Sequence, residues 1–273
     1  MVVISTERLA GRSIGFWLIP EQGLPIIYIT GNKLVARVTA GPYFKIEGNV
    51  NQRIIIKDEI GRLSGVGGLE DRLIQNGYSY IVGVDEAGRG PLAGPVVAAA
   101  VVLPEGDTIE GLQDSKKLSP ARRDLMFDRI VSSEAAYAVG IEDNEMIDSI
   151  NILRASLRAM AQAVHKLKLT PEVILVDGNQ TIPGVKSPQM AVVGGDASCQ
   201  AIAAASILAK VTRDRIMDHY AHLYPLYAFN RHKGYPTAEH LRELREYGPT
   251  PIHRKSFRPV QEVISQMDLQ LMP

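Results

Sequence analysis

Pro95-Val96-Val97-Ala98-Ala99-Ala100-Val101-Val102-Leu103 carries no polar side chain, and Tyr80-Ile81-Val82-Gly83-Val84-Asp85 precedes it across a short Gly- and Pro-rich segment. A Val-rich run of this length, bounded by turn residues, predicts a strand buried on both faces. Residues 136–141 read as a third strand, and before it Ser119 caps and Pro120 opens a helix to about Val131. A long amphipathic helix is expected next, because Ile150, Leu153, Leu157, Met160, Val164 and Leu167 recur at spacings of three and four. Residues 173–176 form a short apolar strand ending in Asp177-Gly178, and residues 191–193 another ending in Gly194-Gly195-Asp196. Helices are expected over 198–220 and, capped by Thr237, over 238–247. Strands alternating with helices in this order predict an α/β domain with a mixed central sheet flanked by helices. Sites in such sheets gather at strand ends.

Upstream, residues 1–77 alternate short apolar runs (15–19, 24–30, 34–38, 53–57) with Gly, Pro and Asn. That pattern predicts several short strands joined by turns, a small β-rich extension, with Gly65, Gly67 and Gly68 as a linker. The expected layout is an extension over 1–77, an α/β domain over 78–260 with a helical C-terminal part, and a tail over 261–273. The extension is either an accessory domain or upstream sequence taken in by a misplaced start, and no internal Met precedes Met126.

Composition excludes several classes. Thirty Lys+Arg balance thirty Asp+Glu, so net charge points to no partner and only local patches can. Cys199 is the single cysteine, which rules out an intramolecular disulfide and a Cys-rich zinc site; within an Ala-rich run it reads as a small buried hydrophobe. No apolar run reaches about 18 residues, so no membrane span is expected. The N-terminus lacks a basic start followed by an apolar block, so a cytoplasmic protein is expected.

Four acids stand at strand ends: Asp85 and Glu86 after the first, Asp177 at the fourth, Asp196 after the fifth. Taken singly, an Asp or Gly after a strand is an ordinary turn residue. Taken together, with the three strands as neighbours, four carboxylates converge at one sheet edge, where their like charges repel. A hard divalent cation with oxygen ligands, Mg²⁺ or Mn²⁺, relieves that repulsion. Spacing alone leaves the turn and metal readings equally open. Gly88-Arg89-Gly90-Pro91-Leu92-Ala93 also fits the loose G-x-G-x-x-A dinucleotide pattern, but Pro91 and Pro95 interrupt the helix that pattern needs.

Asp85-Glu86-Ala87-Gly88-Arg89-Gly90-Pro91-Leu92-Ala93-Gly94 resembles the opening motif of bacterial ribonuclease HII. The resemblance continues through Asp114-Ser115-Lys116-Lys117-Leu118, Asp177-Gly178-Asn179, Gly195-Asp196, the Ala204 to Asp214 run, His232-Lys233-Gly234-Tyr235-Pro236-Thr237 and His253-Arg254-Lys255-Ser256-Phe257. Seven motifs in order cover about residues 80–260.

The resemblance implies a ribonuclease H-like fold with a helical C-terminal segment. It implies that Asp85, Glu86, Asp177 and Asp196 are the catalytic, metal-binding carboxylates, holding Mn²⁺ or Mg²⁺, with two ions acting in catalysis. Gly88, Arg89 and Gly90 are implied to recognise a ribonucleotide's 2′-hydroxyl, because glycines allow close backbone approach and the 2′-OH distinguishes RNA from DNA. Tyr235 is implied to stack on the sugar of the following deoxynucleotide. The implied substrates are RNA/DNA hybrids and duplex DNA with embedded ribonucleotides, cut 5′ of the ribonucleotide to leave a 3′-hydroxyl and a 5′-phosphate. Removal of misincorporated ribonucleotides and RNA primers is the implied role, carried out by a monomer.

Between Arg231 and Arg258 stand seven Lys/Arg (Arg231, Lys233, Arg242, Arg245, Arg254, Lys255, Arg258) against three acids (Glu239, Glu243, Glu246). With Lys116 and Lys117 they can hold phosphates without reading sequence, although a solvated helix face accounts equally well for Arg242 and Arg245. Gln266-Met267-Asp268-Leu269-Gln270-Leu271 resembles the short motif by which bacterial replication proteins dock on the sliding clamp. Three other readings compete: a DNA resolvase or integrase on the same fold, a catalytically silent nucleic-acid adaptor, and a dinucleotide oxidoreductase.

Overall fold

Val and Ala fill the strand Val96–Val102 without polar interruption, and the computed structural model of the chain buries it on both faces of one sheet. Side chains are described for residues 68–103, 112 and 118–269; Gln270 and five short N-terminal strands are described as backbone. The chain separates into two compact units, residues 1–54 and 55–273.

In the first unit β1 (Ser5–Arg8) pairs antiparallel with β2 (Ile14–Trp17). β3 (Ile26–Thr30), β4 (Lys33–Arg37) and β5 (Phe44–Ile46) form an antiparallel sheet. The described stretches are thus β-rich, as expected, while the run 53–57, Gly65 and Gly67 lie outside the described residues.

In the second unit a helix, α1 (Leu69–Gln75), begins directly after Gly68, where a linker is expected from sequence. Glu70 on α1 accepts the N–H groups of Gln200 (2.7 Å) and Ala201 (3.3 Å), and Leu73 is fully buried. The helix is therefore tied to the α/β core although its sequence groups it with the extension.

The sheet contains β6 (Ile81–Ala87), β7 (Val96–Val102), β8 (Ala136–Glu142), β9 (Val173–Asp177) and β10 (Gln189–Val192), in the order β10-β9-β6-β7-β8. β10, β9 and β6 run parallel, and β7 and β8 are antiparallel to their neighbours, so the sheet is mixed. Alternation along the strands divides the core. Val82, Val84, Ala98 and Ala100 meet Ala155, Ala159, Met160 and Ala163 of α4 (Ile152–Lys166). Ala99 and Val101 meet Ala203, Ala204, Ile207 and Leu208 of α5 (Gln200–Leu223), with Met126 and Ile130 of α2 (Pro120–Ser132) beside them. Gly83 makes the second contact close: a Cβ there would lie 2.1 Å from the Ala201 carbonyl carbon. Only a glycine lets α5 lie this near β6.

The expected long helix from Ile150 is α4, except that Ile150 itself ends a separate preceding helix, α3 (Asn144–Ile150). Asn151 separates them at φ 70°, a left-handed value that Asn tolerates, and its side chain caps α4 by accepting the Arg154 N–H at 3.1 Å. After α5 come α6 (Phe229–His232), α7 (Ala238–Tyr247) and α8 (Arg258–Gln270); the expected tail is thus helical as far as Gln270. Among the described residues no helix is long and apolar enough to cross a membrane.

Candidate active site

Three parallel strands deliver the four acids. Register pairs Val84 with Val176, which sets Asp85 beside Asp177, and pairs Val192 with Asp177. The chain then turns through Gly194 into a 3-10 turn, Gly195–Ala197, where the Gly195 N–H donates to Asp177 Oδ1 at 2.8 Å. Asp196, next along, is buried. Successive strand residues face opposite sides of a sheet. Asp85 meets α5, where Ser206 hydrogen-bonds it, and Glu86 lines a small cavity on the α4 side with Ser156, Leu157 and Asp177.

Burial, then the charges of Glu86 and Asp177, push the Asp85 carboxyl up to about 8, against the Ser206 hydrogen bond and the Glu86 N–H (2.7 Å), which favour its ionised form. Burial also raises Glu86, opposed by Arg89, whose Nη1 lies 3.2 Å from Oε1. Among the described residues no three His, Cys, Asp or Glu side chains close around a point. The acids share one sheet edge without forming a finished cage.

Beside them opens a cleft of about 440 Å³. Gly88, Arg89 and Gly90 line it, together with Tyr235, Lys210 and Arg123. A Cβ on Gly90 would sit 3.7 Å from Cε1 of Tyr235, so turn and ring face each other. Lys210 Nζ and Arg213 Cζ each lie 5.8 Å from the tyrosine ring centroid. Carboxylates at the sheet edge thus adjoin a groove with a glycine turn, an aromatic ring and cations. The family model for ribonuclease HII matches residues 82–260 of this chain.

The chain belongs to the ribonuclease HII family. It is a ribonuclease H, a nuclease that hydrolyses phosphodiester bonds. The Ribonuclease HII of Pelotomaculum thermopropionicum is 54% identical over 263 residues, 96% of this chain and 95% of its own length, so the similarity reaches into the N-terminal segment. Among solved structures, ribonuclease H2 of Pyrococcus horikoshii superposes with TM-score 0.57 at 27% identity, covering 69% of this chain and 98% of that one. A ribonuclease HII of Archaeoglobus fulgidus, solved in a PCNA complex, gives TM-score 0.56 at 26% identity over 66% of this chain and 95% of that one. These likenesses establish the ribonuclease H-like fold.

Within this ribonuclease HII fold the sequence-expected groups do not all share one place. Glu86, Asp177, Gly88, Arg89, Gly90 and Tyr235 border the two adjoining cavities, Asp85 is buried beside Glu86 and Asp177, and Asp196 is buried beyond the glycine that binds Asp177. Lys116 and Lys117 lie outside the described residues. Arg254 leaves the expected phosphate-binding set, because it is fully buried and bonded to backbone carbonyls. Arg231 pairs with Glu239 while its side chain stays largely exposed, and Lys233 pairs with Asp218.

Sequence reasoning assigned no role to Ser206, Lys210, Arg213 or Arg123. The signal was available for three of them: positions 206, 210 and 213 fall at i, i+4 and i+7 on α5, one helix face. Arg123, on α2, carries no such local mark. Lys210 pairs with Asp214 at 2.6 Å, and burial lowers its ammonium pKa.

Proposed function

We propose that this ribonuclease H is a divalent-metal-dependent endonuclease cutting the phosphodiester 5′ of a ribonucleotide, in RNA/DNA hybrids and where ribonucleotides are embedded in duplex DNA. The observation that carries this reading is Asp85: a buried carboxyl with like-charged neighbours, next to a cleft in which Gly90 faces Tyr235. An all-oxygen donor set fits a hard cation, Mg²⁺ or Mn²⁺, and such ions complete their coordination with water and substrate phosphate, so an open cage suits them. Asp85, Glu86, Asp177 and Asp196 would hold the ions. Bound there, a divalent ion supplies a water of lowered pKa and offsets charge on the transferring phosphate.

The chain's own groups do the rest. Ser206 orients Asp85, the Gly195 N–H orients Asp177, and Arg89 orients Glu86. The turn Gly88-Arg89-Gly90 approaches the ribose closely enough to sense its 2′-hydroxyl, and Tyr235 takes the neighbouring sugar by stacking. Lys210 and Arg123, which line the same cleft as the tyrosine, offer charge to the phosphates. Water oxygen joins phosphorus and the P–O3′ bond breaks, giving a 3′-hydroxyl and a 5′-phosphate. Removal of misincorporated ribonucleotides and RNA primers follows as the cellular role.

The test is incision of an end-labelled DNA duplex holding one ribonucleotide, with Mg²⁺, Mn²⁺ or EDTA, beside an all-DNA control. Metal-dependent cutting only 5′ of the ribonucleotide is expected. Equal cutting of the control would support a resolvase-type enzyme instead.

A second reading concerns partners. Met267 and Leu269 are exposed on α8, within the clamp-like stretch that starts at Gln266, and a relative is known bound to PCNA. We propose that residues 266–271 dock on a sliding clamp; co-elution with the clamp should disappear when 266–273 are deleted.

A further inference from the structure

Two fully buried arginines grip the turn that carries Gly88, Arg89 and Gly90. Arg254 donates from Nη1 to the carbonyls of Arg89 (3.0 Å) and Pro91 (2.7 Å), and from Nη2 to those of Gly88 (2.6 Å) and Pro95 (3.2 Å). Its Nε donates to Gly94 at 3.0 Å. A guanidinium has five N–H groups, and here all five reach carbonyls of one stretch, 88–95. Arg213 adds bonds to Pro95 (2.9 Å) and Ala93 (3.1 Å) and reaches across to Lys233 (3.0 Å), two residues before Tyr235. Backbone bonds join the same pieces, from Leu92 N–H to the Gly234 carbonyl (2.8 Å) and from Arg254 N–H to the Leu92 carbonyl (2.8 Å).

This arrangement is an expensive way to hold a loop. Among the described residues neither arginine forms an ion pair, and burial together with the neighbouring Arg213 charge lowers Arg254 to about 9. Apolar packing would secure a loop with less desolvation. What the planar fork adds is direction, because it fixes several carbonyls at once. In a planar trans peptide the N–H points opposite to the C=O. With the Gly88 and Arg89 carbonyls turned onto Arg254, the N–H groups of Arg89 and Gly90 point the other way. Among the described residues neither N–H has an acceptor. Gly88 is fitted to the same grip: its φ is 100°, and a Cβ would lie 2.2 Å from Arg213 Nε.

We propose that Arg254 and Arg213 are positioning residues for ribonucleotide specificity: they set the peptide planes 88–89 and 89–90 so that two N–H donors face the substrate sugar, and tie that turn to the Tyr235 segment. The inference rests on reading the turn as the ribose-recognising element. It predicts that weakening the grip harms recognition of the 2′-hydroxyl rather than metal use or substrate affinity.

The experiment compares wild type with Arg254→Lys, Arg213→Lys and Arg254→Gln, each assayed well below its own thermal midpoint. Substrates are a duplex with one ribonucleotide and the same duplex with a 2′-fluoro nucleotide there. In the lysine variants kcat on the ribonucleotide should fall about 100-fold, as for a reacting group displaced by an ångström, with KM little changed. The Mn²⁺ concentration giving half-maximal rate should stay as in wild type. The preference for 2′-hydroxyl over 2′-fluoro should shrink about tenfold or more, and further in Arg254→Gln. A parallel fall on both substrates with the preference intact would overturn the proposal, and so would lysine variants that do not fold, since the arginines would then serve the core. A wild-type enzyme showing no such preference would instead overturn the reading of the turn, and the inference with it.

Discussion

Gly90 and Tyr235 face each other across the cleft, an added Cβ at Gly90 lying 3.7 Å from the tyrosine Cε1. In the proposed function the gap between them is the space that takes the sugar. Gly90→Ala keeps an ordinary contact with the ring but fills that space, so it should lower kcat/KM on a single-ribonucleotide duplex more than it lowers stability. Tyr235→Ala removes a stacking platform worth about 1–3 kcal/mol, about 5- to 150-fold in kcat/KM. Steady-state kinetics beside thermal unfolding checks both; a Gly90→Ala enzyme as active as wild type would remove the turn from the site.

Asp85→Asn and Asp177→Asn should nearly abolish cleavage while the fold persists. In metal-free protein Asp85→Asn should also raise the melting temperature, because it removes a carboxyl whose ionisation burial and the charges of Glu86 and Asp177 oppose in the fold but not in the unfolded chain. Each kcal/mol relieved corresponds to about 2–4 °C for a chain of this size. Calorimetry in EDTA reads the effect, and a lower melting temperature would show that the acids do not oppose one another.

Lys210 and Arg123 line the cleft with Tyr235. If they meet phosphates, neutralising either should weaken duplex binding uniformly across sequences and reduce the log–log salt slope by about 1. A salt titration of Lys210→Ala binding to a duplex, under EDTA to prevent cutting, decides this; an unchanged slope would leave Lys210 as a partner of Asp214 only.

His232, His240 and His253 form a buried neutral network behind Tyr235. His240 Nδ1–H donates to the Tyr235 carbonyl at 3.0 Å, so its Nε2 accepts from His253 Nε2–H at 3.0 Å, and His253 Nδ1 accepts the Thr250 N–H at 2.9 Å. Burial lowers all three, His240 to about 4 and His253 to about 3, from 6.5. A depressed folded pKa means the unfolded chain takes up protons first. Stability is therefore full above about pH 6.5 and is lost as pH falls toward 4 and 3, by up to about 1.4 kcal/mol per pH unit for each histidine. Denaturant unfolding between pH 8 and 4 should show this slope, reduced in His253→Gln; a flat profile from 7 to 5 would contradict a neutral cluster.

Gly83→Ala should destabilise by about 1–3 kcal/mol or more, since the new Cβ would meet the α5 backbone at 2.1 Å and backbone cannot swing aside. The displaced helix carries Ser206 and Lys210, so activity should fall beyond what the lost stability explains. Thermal unfolding and kcat on one preparation check the pair of effects.

Much of this was legible in the residues themselves. The apolar run of β7, the Ser119–Pro120 helix start and the four acids at strand ends follow from side-chain chemistry and local periodicity, which act over a few residues. Local pattern does not report chain reversals or long-range partners. Periodicity ran through Asn151 because a single left-handed residue leaves the apolar spacing intact. Gly68 resembled a linker because the partners of α1, the Gln200 and Ala201 N–H groups, lie some 130 residues away. Arg254 counted as a surface cation in sequence; only the folded chain surrounds it with carbonyls from 88–95 and takes it out of water. The sequence by itself determined which elements form and which acids end them. Tertiary structure alone decided which charges are exposed, since burial is set by contacts between segments distant in the chain.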